Sequence, residues 1–240
     1  MGGMRLPAIL KDHALYALLG LAAVCTMIWL CLLRKRLSMK WYTALLLAIV
    51  HVAYGVFCVK VFAFAESGFA KEGFGAMSLF GAVFLMPPAY YLGARCTKRP
   101  VAEVFDLFAI PMIFTLLCAR CNCLVAGCCQ GRMIPGLAPW RWPTRELELV
   151  FYLIFLALEA PKVIKGVSRG LVYPRYMAAY GSFRFVIECF RTANTNSLFH
   201  VSHIWAVISL AIGFGILLEI KQREKRDANQ SFKQQNRKKR

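Results

Sequence analysis

Seven long apolar blocks govern what this chain can become. They run roughly over 13–33, 41–64, 76–94, 101–126, 146–164, 170–190 and 203–221, most of them about 20 residues long. A helix of about 20 residues crosses a hydrocarbon core of about 30 Å with its backbone polar groups bonded internally. The expected fold is therefore all-α: a polytopic membrane protein of about seven transmembrane helices. Of the 240 residues, 59% are hydrophobic, above the roughly 45–50% usual in soluble domains. Two blocks are less regular. Pro87 and Pro88 should kink the third, and the fifth opens on Glu146 and Glu148. The first block is longer than a signal-peptide core and no small-x-small site follows it, so no cleavable signal is expected. Leu6 stands where a myristoylation motif beginning at Gly2 needs Ser or Thr.

The net charge of +18 would suggest nucleic acid in a soluble protein. Here the charge lies in short loops and a tail, which points to topology and anionic lipid, and no nucleic-acid partner is expected. Arg34, Lys35, Arg36 and Lys40 follow block one; Arg95, Lys98 and Arg99 follow block three; Lys162, Lys165 and Arg169 follow block five; nine more basic residues lie between Lys221 and Arg240. Seven crossings place all of these on one side. The positive-inside rule makes that side cytoplasmic, with the N-terminus outside and the C-terminus inside. Arg5 and Lys11 then lie outside, against the trend. Residues 1–221 read as one integral-membrane domain, and 222–240 as a basic, disordered cytoplasmic tail lying on anionic lipid.

One loop breaks the charge pattern. Residues 118–148, CARCNCLVAGCCQGRMIPGLAPWRWPTRELE, belong on the outer side, yet contain Arg120, Arg132, Arg141 and Arg145. Snorkelling to the interface is one reason for arginine there. An anion site, such as an outward-facing lipid phosphate, is the sharper one. The same stretch holds five of the ten cysteines. Cys118, Cys121, Cys123, Cys128 and Cys129 invite comparison with zinc or iron–sulfur ligands, but no His is near in sequence. They are read as small, soft packing residues, and no metal or cofactor is expected. Redox sensitivity of the vicinal pair stays open.

Block six adds a second cluster. Tyr180, Arg184 and Glu188 in YGSFRFVIECFR share a helical face, and Arg191 falls nearby. Ionisable residues inside a membrane helix are costly and face a cavity or a partner. An Arg184–Glu188 pair either glues helices or holds an arginine ready for an anion. In block five, Thr144 is a natural N-cap, and Arg145 and Glu148 share a face at the outer edge. His13, His51, His200 and His203 read as interfacial or packing residues, with His203 a weaker candidate for a base.

These residues together resemble the prolipoprotein diacylglyceryl transferases, bacterial membrane enzymes of seven helices. The family signature G-R-x-G-N-F-x-N-G-E-x-x-G has a cysteine-containing variant, roughly R-x-G-C-F-L-A-G-C-C-Y-G. Residues 119–132, ARCNCLVAGCCQGR, match that variant at Arg120, Cys123, Ala126, Gly127, Cys128, Cys129 and Gly131. The family's H-P-[ST]-Q-L-Y-E is met by WPTRELE, which keeps Pro143, Thr144 and Glu148. Its Y-G-x-x-R-F-x-x-E-x-x-R is matched at every specified position by residues 180–191. Asp106 and Ala109 look like its D-x-x-A-P, with the proline one place late at Pro111. Tyr16 looks like the tyrosine of its first helix. The resemblance covers most of residues 13–220. Departures from the main pattern are Cys123 and Ala126 for two Asn, Cys128 for Glu, Phe80 for His or Tyr, and Trp142, Arg145 and Leu147 in the second motif.

The resemblance implies transfer of a diacylglyceryl group from phosphatidylglycerol to the lipobox cysteine thiol of exported prolipoproteins, at the outer face of the bacterial cytoplasmic membrane. It implies catalytic roles for Arg120, Arg184, Glu188 and Glu148, and substrate binding by Tyr16, Arg132, Gly131, Arg145, Tyr180 and Arg191. Glu188 would orient Arg184 or take a proton, and Glu148 would do the same beside Arg145. Expected partners are phosphatidylglycerol, lipobox-containing preproteins and membrane lipids. The alternative is a diverged, non-catalytic lipid- or lipoprotein-binding protein of the same fold. An unrelated seven-helix transporter or receptor gated by Arg184–Glu188 is a third reading.

Overall fold

The computed structural model describes residues 8–191 and 200–238; for residues 8–12, 72, 74 and 231–238 it describes the backbone alone. Arg5 and the Lys11 side chain therefore lie outside the described residues. Within them the apolar blocks form seven α-helices: α1 (Ala8–Leu33), α2 (Trp41–Glu66), α3 (Phe80–Cys96), α4 (Val101–Ala126), α5 (Thr144–Ile164), α6 (Val172–Glu188) and α7 (Val201–Lys238). The described residues contain no strand. Two isolated bridges, Gly131 with Arg191 and Met133 with Arg141, are their β-type pairings.

Four helices, α1, α2, α4 and α7, contain stretches long and apolar enough to cross a membrane. The other three fall short for visible reasons. α3 and α6 have 17 residues each, and α5 carries Arg145, Glu146, Glu148, Glu159 and Lys162.

The expected kink in α3 does not end the helix, which runs through Pro87 and Pro88. A helical proline leaves the carbonyl four residues back without its donor. For Pro87 that carbonyl belongs to Val83, and the Tyr173 hydroxyl on α6 donates to it. For Pro111 in α4 it belongs to Leu107, and the Trp29 indole on α1 donates to it at 2.8 Å. Side chains of neighbouring helices thus replace the lost backbone bonds and stitch the bundle together.

Small residues bring α6 and α7 into close contact. A Cβ on Gly181 would lie 2.6 Å from the Ala206 carbonyl oxygen, and one on Gly213 would lie 2.5 Å from the Ala178 nitrogen. Backbones meet this closely only where the side chain is missing. Asp106 on α4 fixes the start of α6. Its carboxylate accepts hydrogen bonds at 2.6 Å from the Gly170 amide, just ahead of the helix, and at 3.2 Å from the Val172 amide, a donor that a helix start leaves without an intrahelical partner.

The connections separate into two ends. Arg36, after α1, donates to the Val163 carbonyl near the end of α5 and pairs with Glu103 at the start of α4 at 2.6 Å. Arg169 lies 3.8 Å from Glu224 of α7. The basic turns therefore gather at one end, and the loop 127–143 and the end of α6 lie at the other.

The tail differs from the sequence expectation. α7 continues to Lys238, so residues 222–238 are helical rather than disordered. The reason is local: the segment is rich in Gln, Lys, Arg and Glu, all good helix formers. A Glu219–Arg223 pair at 2.5 Å supports its first turn.

Candidate functional site

Where α4 emerges from the core it presents Arg120; α5 enters with Glu148; α6 brings Tyr180, Arg184 and Glu188. All five side chains are buried. Glu148 is the centre. One carboxylate oxygen, Oε2, pairs with Arg120 Nε, and the other, Oε1, accepts from Arg184 Nη1 at 2.5 Å. Arg184 Nη2 also meets Glu188 Oε2 at 2.8 Å. Arg191 approaches both carboxylates, 3.9 Å from Glu148 and 3.8 Å from Glu188. The two motifs, about 60 residues apart in the chain, thus form one charge network.

The arginines Arg120, Arg184 and Arg191 against Glu148 and Glu188 leave one net positive charge in the network. Buried charges are tolerable only when paired, and this cluster pairs them with one cation in excess. The network forms part of the wall of a cavity of about 700 Å³, which Arg120, Tyr180, Arg184, Glu188 and Arg191 all line. Tyr180 forms part of its floor, stacked on Tyr176 at 5.4 Å and on Tyr152 at 6.1 Å between ring centroids. Apolar residues of α1 to α4, among them Leu15, Leu19, Val59 and Met112, complete the wall. The arrangement suits a molecule with an anionic head and a hydrocarbon body.

The structure does not bring every expected residue here. Tyr16 is 71% exposed on α1, while its neighbours Leu15 and Leu19 face the cavity. The Arg145–Glu148 partnership also gives way. Arg145 pairs with Glu146 at 3.3 Å and reaches the carbonyls of Cys123 and Cys128 at 3.5 Å, because Glu148 is already held by two buried arginines. Gly131 and Arg132 act through their backbones. A Cβ on Gly131 would lie 2.1 Å from the Trp142 carbonyl oxygen. The Arg132 amide donates to the Phe190 carbonyl at 2.9 Å, and its own carbonyl accepts from Trp142 at 3.0 Å. Neither residue lines the cavity. Trp142, in place of the resemblance's His, packs on Phe190 at 4.5 Å and holds this hairpin to the end of α6. Thr144 is the first residue of α5, not its cap, and its hydroxyl donates to the Cys129 carbonyl at 3.3 Å.

Other groups at the cavity were not singled out from the sequence as site residues. Phe80 lies under Arg184, with the guanidinium carbon 5.9 Å from the ring centroid. An aromatic face thus supports the cation where the resemblance expects a titratable ring. Glu66, at the end of α2, and Asn122 also line the cavity. Cys123, Cys128 and Cys129 line it too, with their sulfurs within 4.8 Å of one another. The turn that gathers them begins at Gly127, which caps α4 in the left-handed conformation. Cys129 also has a positive φ of 56°. The Cys129 thiol is pulled down, first by a hydrogen bond from Cys123 and, against the opposing effect of burial, by Arg191 and Arg120. Burial pushes Cys128 up.

No individual curated protein matches the sequence significantly. The family model for prolipoprotein diacylglyceryl transferase matches residues 9–219, spanning both motifs and nearly all seven helices. The chain belongs to the prolipoprotein diacylglyceryl transferase family, membrane transferases of lipoprotein biosynthesis that place a diacylglyceryl group on prolipoproteins.

Proposed function

We propose that this protein transfers the diacylglyceryl group of phosphatidylglycerol to the lipobox cysteine thiol of exported prolipoproteins, at the outer face of the bacterial cytoplasmic membrane. All seven helices cross in this reading, with the N-terminus outside and the C-terminus inside. The gathering of Arg36, Arg169 and the other loop cations at the end opposite the cavity supports that orientation.

The observation that carries the chemistry is the pair of arginines on one carboxylate, Arg120 and Arg184 on Glu148, at the wall of a largely apolar cavity. A phosphodiester head has one negative charge, which Arg120, Arg184 and Arg191 on the cavity wall can pair. In the transfer, the acceptor thiol gives its proton to water, and its sulfur forms a bond to the terminal carbon of the diacylglyceryl group. The bond from that carbon to the phosphate oxygen breaks, and its electron pair leaves with glycerol phosphate. The leaving phosphate gains charge as the bond breaks. Guanidinium groups held beforehand in a low-dielectric wall stabilise that charge more than they stabilise the ground state. Glu148 and Glu188 keep the guanidinium planes in place, and Tyr180 packs beneath them. Arg191, less buried, meets the head group as it enters.

The test uses the full chain in phosphatidylglycerol vesicles with a labelled glycerol backbone and a lipobox peptide. The wild type labels the peptide, and Arg184→Ala and Arg120→Ala lose roughly 10²–10³-fold in rate. Wild-type rates in either variant would sink the mechanism. A folded wild type that binds the lipid but never labels the peptide would favour the non-catalytic alternative.

A further inference from the structure

The family chemistry assigns no role to the three clustered cysteines. We propose that Cys123, Cys128 and Cys129 form a zinc(II) site whose fourth position takes the sulfur of the acceptor cysteine. The acceptor part of this proposal rests on the transferase reading above.

The geometry comes first. The cysteines are separated by up to six positions along the chain, yet their Sγ atoms lie within 4.8 Å of one another. Zinc bonds to sulfur of about 2.3 Å, set tetrahedrally, space the sulfurs about 3.8 Å apart. Cys128 is exposed, so its side chain has room to close the difference. The backbone is arranged for this meeting. Gly127 ends α4 in the left-handed conformation, and Cys129 follows with a positive φ that a residue with a side chain seldom adopts.

The electrostatics agree. Three thiolates and one zinc(II) ion carry one net negative charge, and a fourth thiolate makes it two. Arg120 Nη1 lies 3.9 Å from Cys123 Sγ, and Arg191 lines the same cavity. Arg145 reaches the Cys123 and Cys128 carbonyls. Cations therefore surround the thiolate set, which favours its deprotonated, metal-binding form.

The coordination number distinguishes a reactive site from a structural one. Structural zinc is closed by four protein ligands, whereas reactive zinc keeps one position open. Three cysteines line this cavity together, so the remaining position opens toward the space where the acceptor must arrive. A thiol bound to zinc is deprotonated outright. That supplies the thiolate at a site where Phe80 replaces the titratable ring of the family pattern. The acceptor S–H bond gives its proton to water as sulfur binds zinc. Its lone pair then forms the S–C bond while the C–O bond breaks toward the arginines. Zinc stays divalent throughout. The thioether product has lost the thiolate charge and is a weaker ligand, so it departs.

Cobalt(II) alone, added to the reduced full chain in detergent, is the probe. One cobalt per chain is expected, with a thiolate-to-metal charge-transfer band and the visible bands of a tetrahedral ion. Cys128→Ser and Cys129→Ser should weaken the charge-transfer band or lose it with the metal, and Cys121→Ser should keep it whole. A lipobox peptide should alter the visible bands, while the same peptide with serine for cysteine should leave them unchanged. No cobalt uptake by folded protein with all ten thiols reduced overturns the site, as does a full band in Cys128→Ser. Bands indifferent to the cysteine peptide overturn the acceptor role. The two readings fail separately. Peptide transfer by metal-free protein removes the metal and leaves the transferase standing. Peptide-sensitive bands without any lipid transfer support the thiol-binding site and remove the transferase.

Discussion

Glu148 lies between two guanidinium groups, and what replaces it shows how much the site depends on one carboxylate. Glu148→Gln keeps the shape but removes the charge holding Arg120 and Arg184 together. The two cations then face each other in a low-dielectric wall. Losing one partner of a buried ion pair costs about 3–5 kcal/mol, so a marked fall in thermal midpoint is expected together with a loss of transfer. Glu188→Gln should be milder. Glu188 meets Arg184 at 2.8 Å but Arg191 only at 3.8 Å, and Arg184 keeps its second contact to Glu148. Differential scanning fluorimetry and the vesicle assay on both variants test this order; equal effects would contradict it. The sequence shows Arg184 and Glu188 as helical neighbours but pairs Glu148 with Arg145. Spacing along one helix reports only local pairs. The contact of Glu148 with Arg120 and Arg184 joins three helices, which no single-segment periodicity contains.

At the scale of elements, the apolar blocks were legible as helices, and apolar length marks four of them, α1, α2, α4 and α7, as able to cross a membrane. The helix ends were less legible: α3 starts at Phe80 rather than near residue 76, and α7 runs well beyond 221. Pro87 and Pro88 read as a kink because a sequence shows the lost donor and not its replacement, and Pro111 brings the same loss to α4. Trp29 and Tyr173 are those replacements at Pro111 and Pro87. Removing one should cost more than its packing suggests. Trp29→Phe keeps an aromatic ring but deprives the Leu107 carbonyl of the indole donor. A buried carbonyl left without a partner costs about 1–3 kcal/mol. Thermal unfolding in detergent should show that loss, and an unchanged midpoint would mean another group fills the gap. The cysteine cluster was similarly hidden. Gly127 and positive-φ Cys129 fold the chain back on α4, whereas a helix continuing past 126 would have spread the sulfurs apart.

Across the whole molecule, two cavities nearly meet. The one above the arginines shares His51 and Met86 as lining with a second of about 610 Å³, which Lys40 and Arg99 line at the opposite end. The proposed orientation places that second mouth on the cytoplasmic side. Cys96, exposed at the end of α3, marks the same end. A membrane-impermeant maleimide should therefore leave Cys96 unmodified in intact cells and modify it after permeabilisation, as read by peptide mass spectrometry. Modification in intact cells would reverse the topology.

The hairpin that follows Cys129 is tied to the end of α6 by backbone bonds. Arg132 donates to the Phe190 carbonyl, Trp142 donates to Arg132, and Gly131 bridges Arg191. Mechanically these are stiff links in series with little slack. A load on the hairpin, such as the pull of an arriving polypeptide, passes along them to Arg191. Displacement at the rim becomes displacement of a cation beside the two buried carboxylates, and the loop works as a lever whose short arm is a guanidinium group.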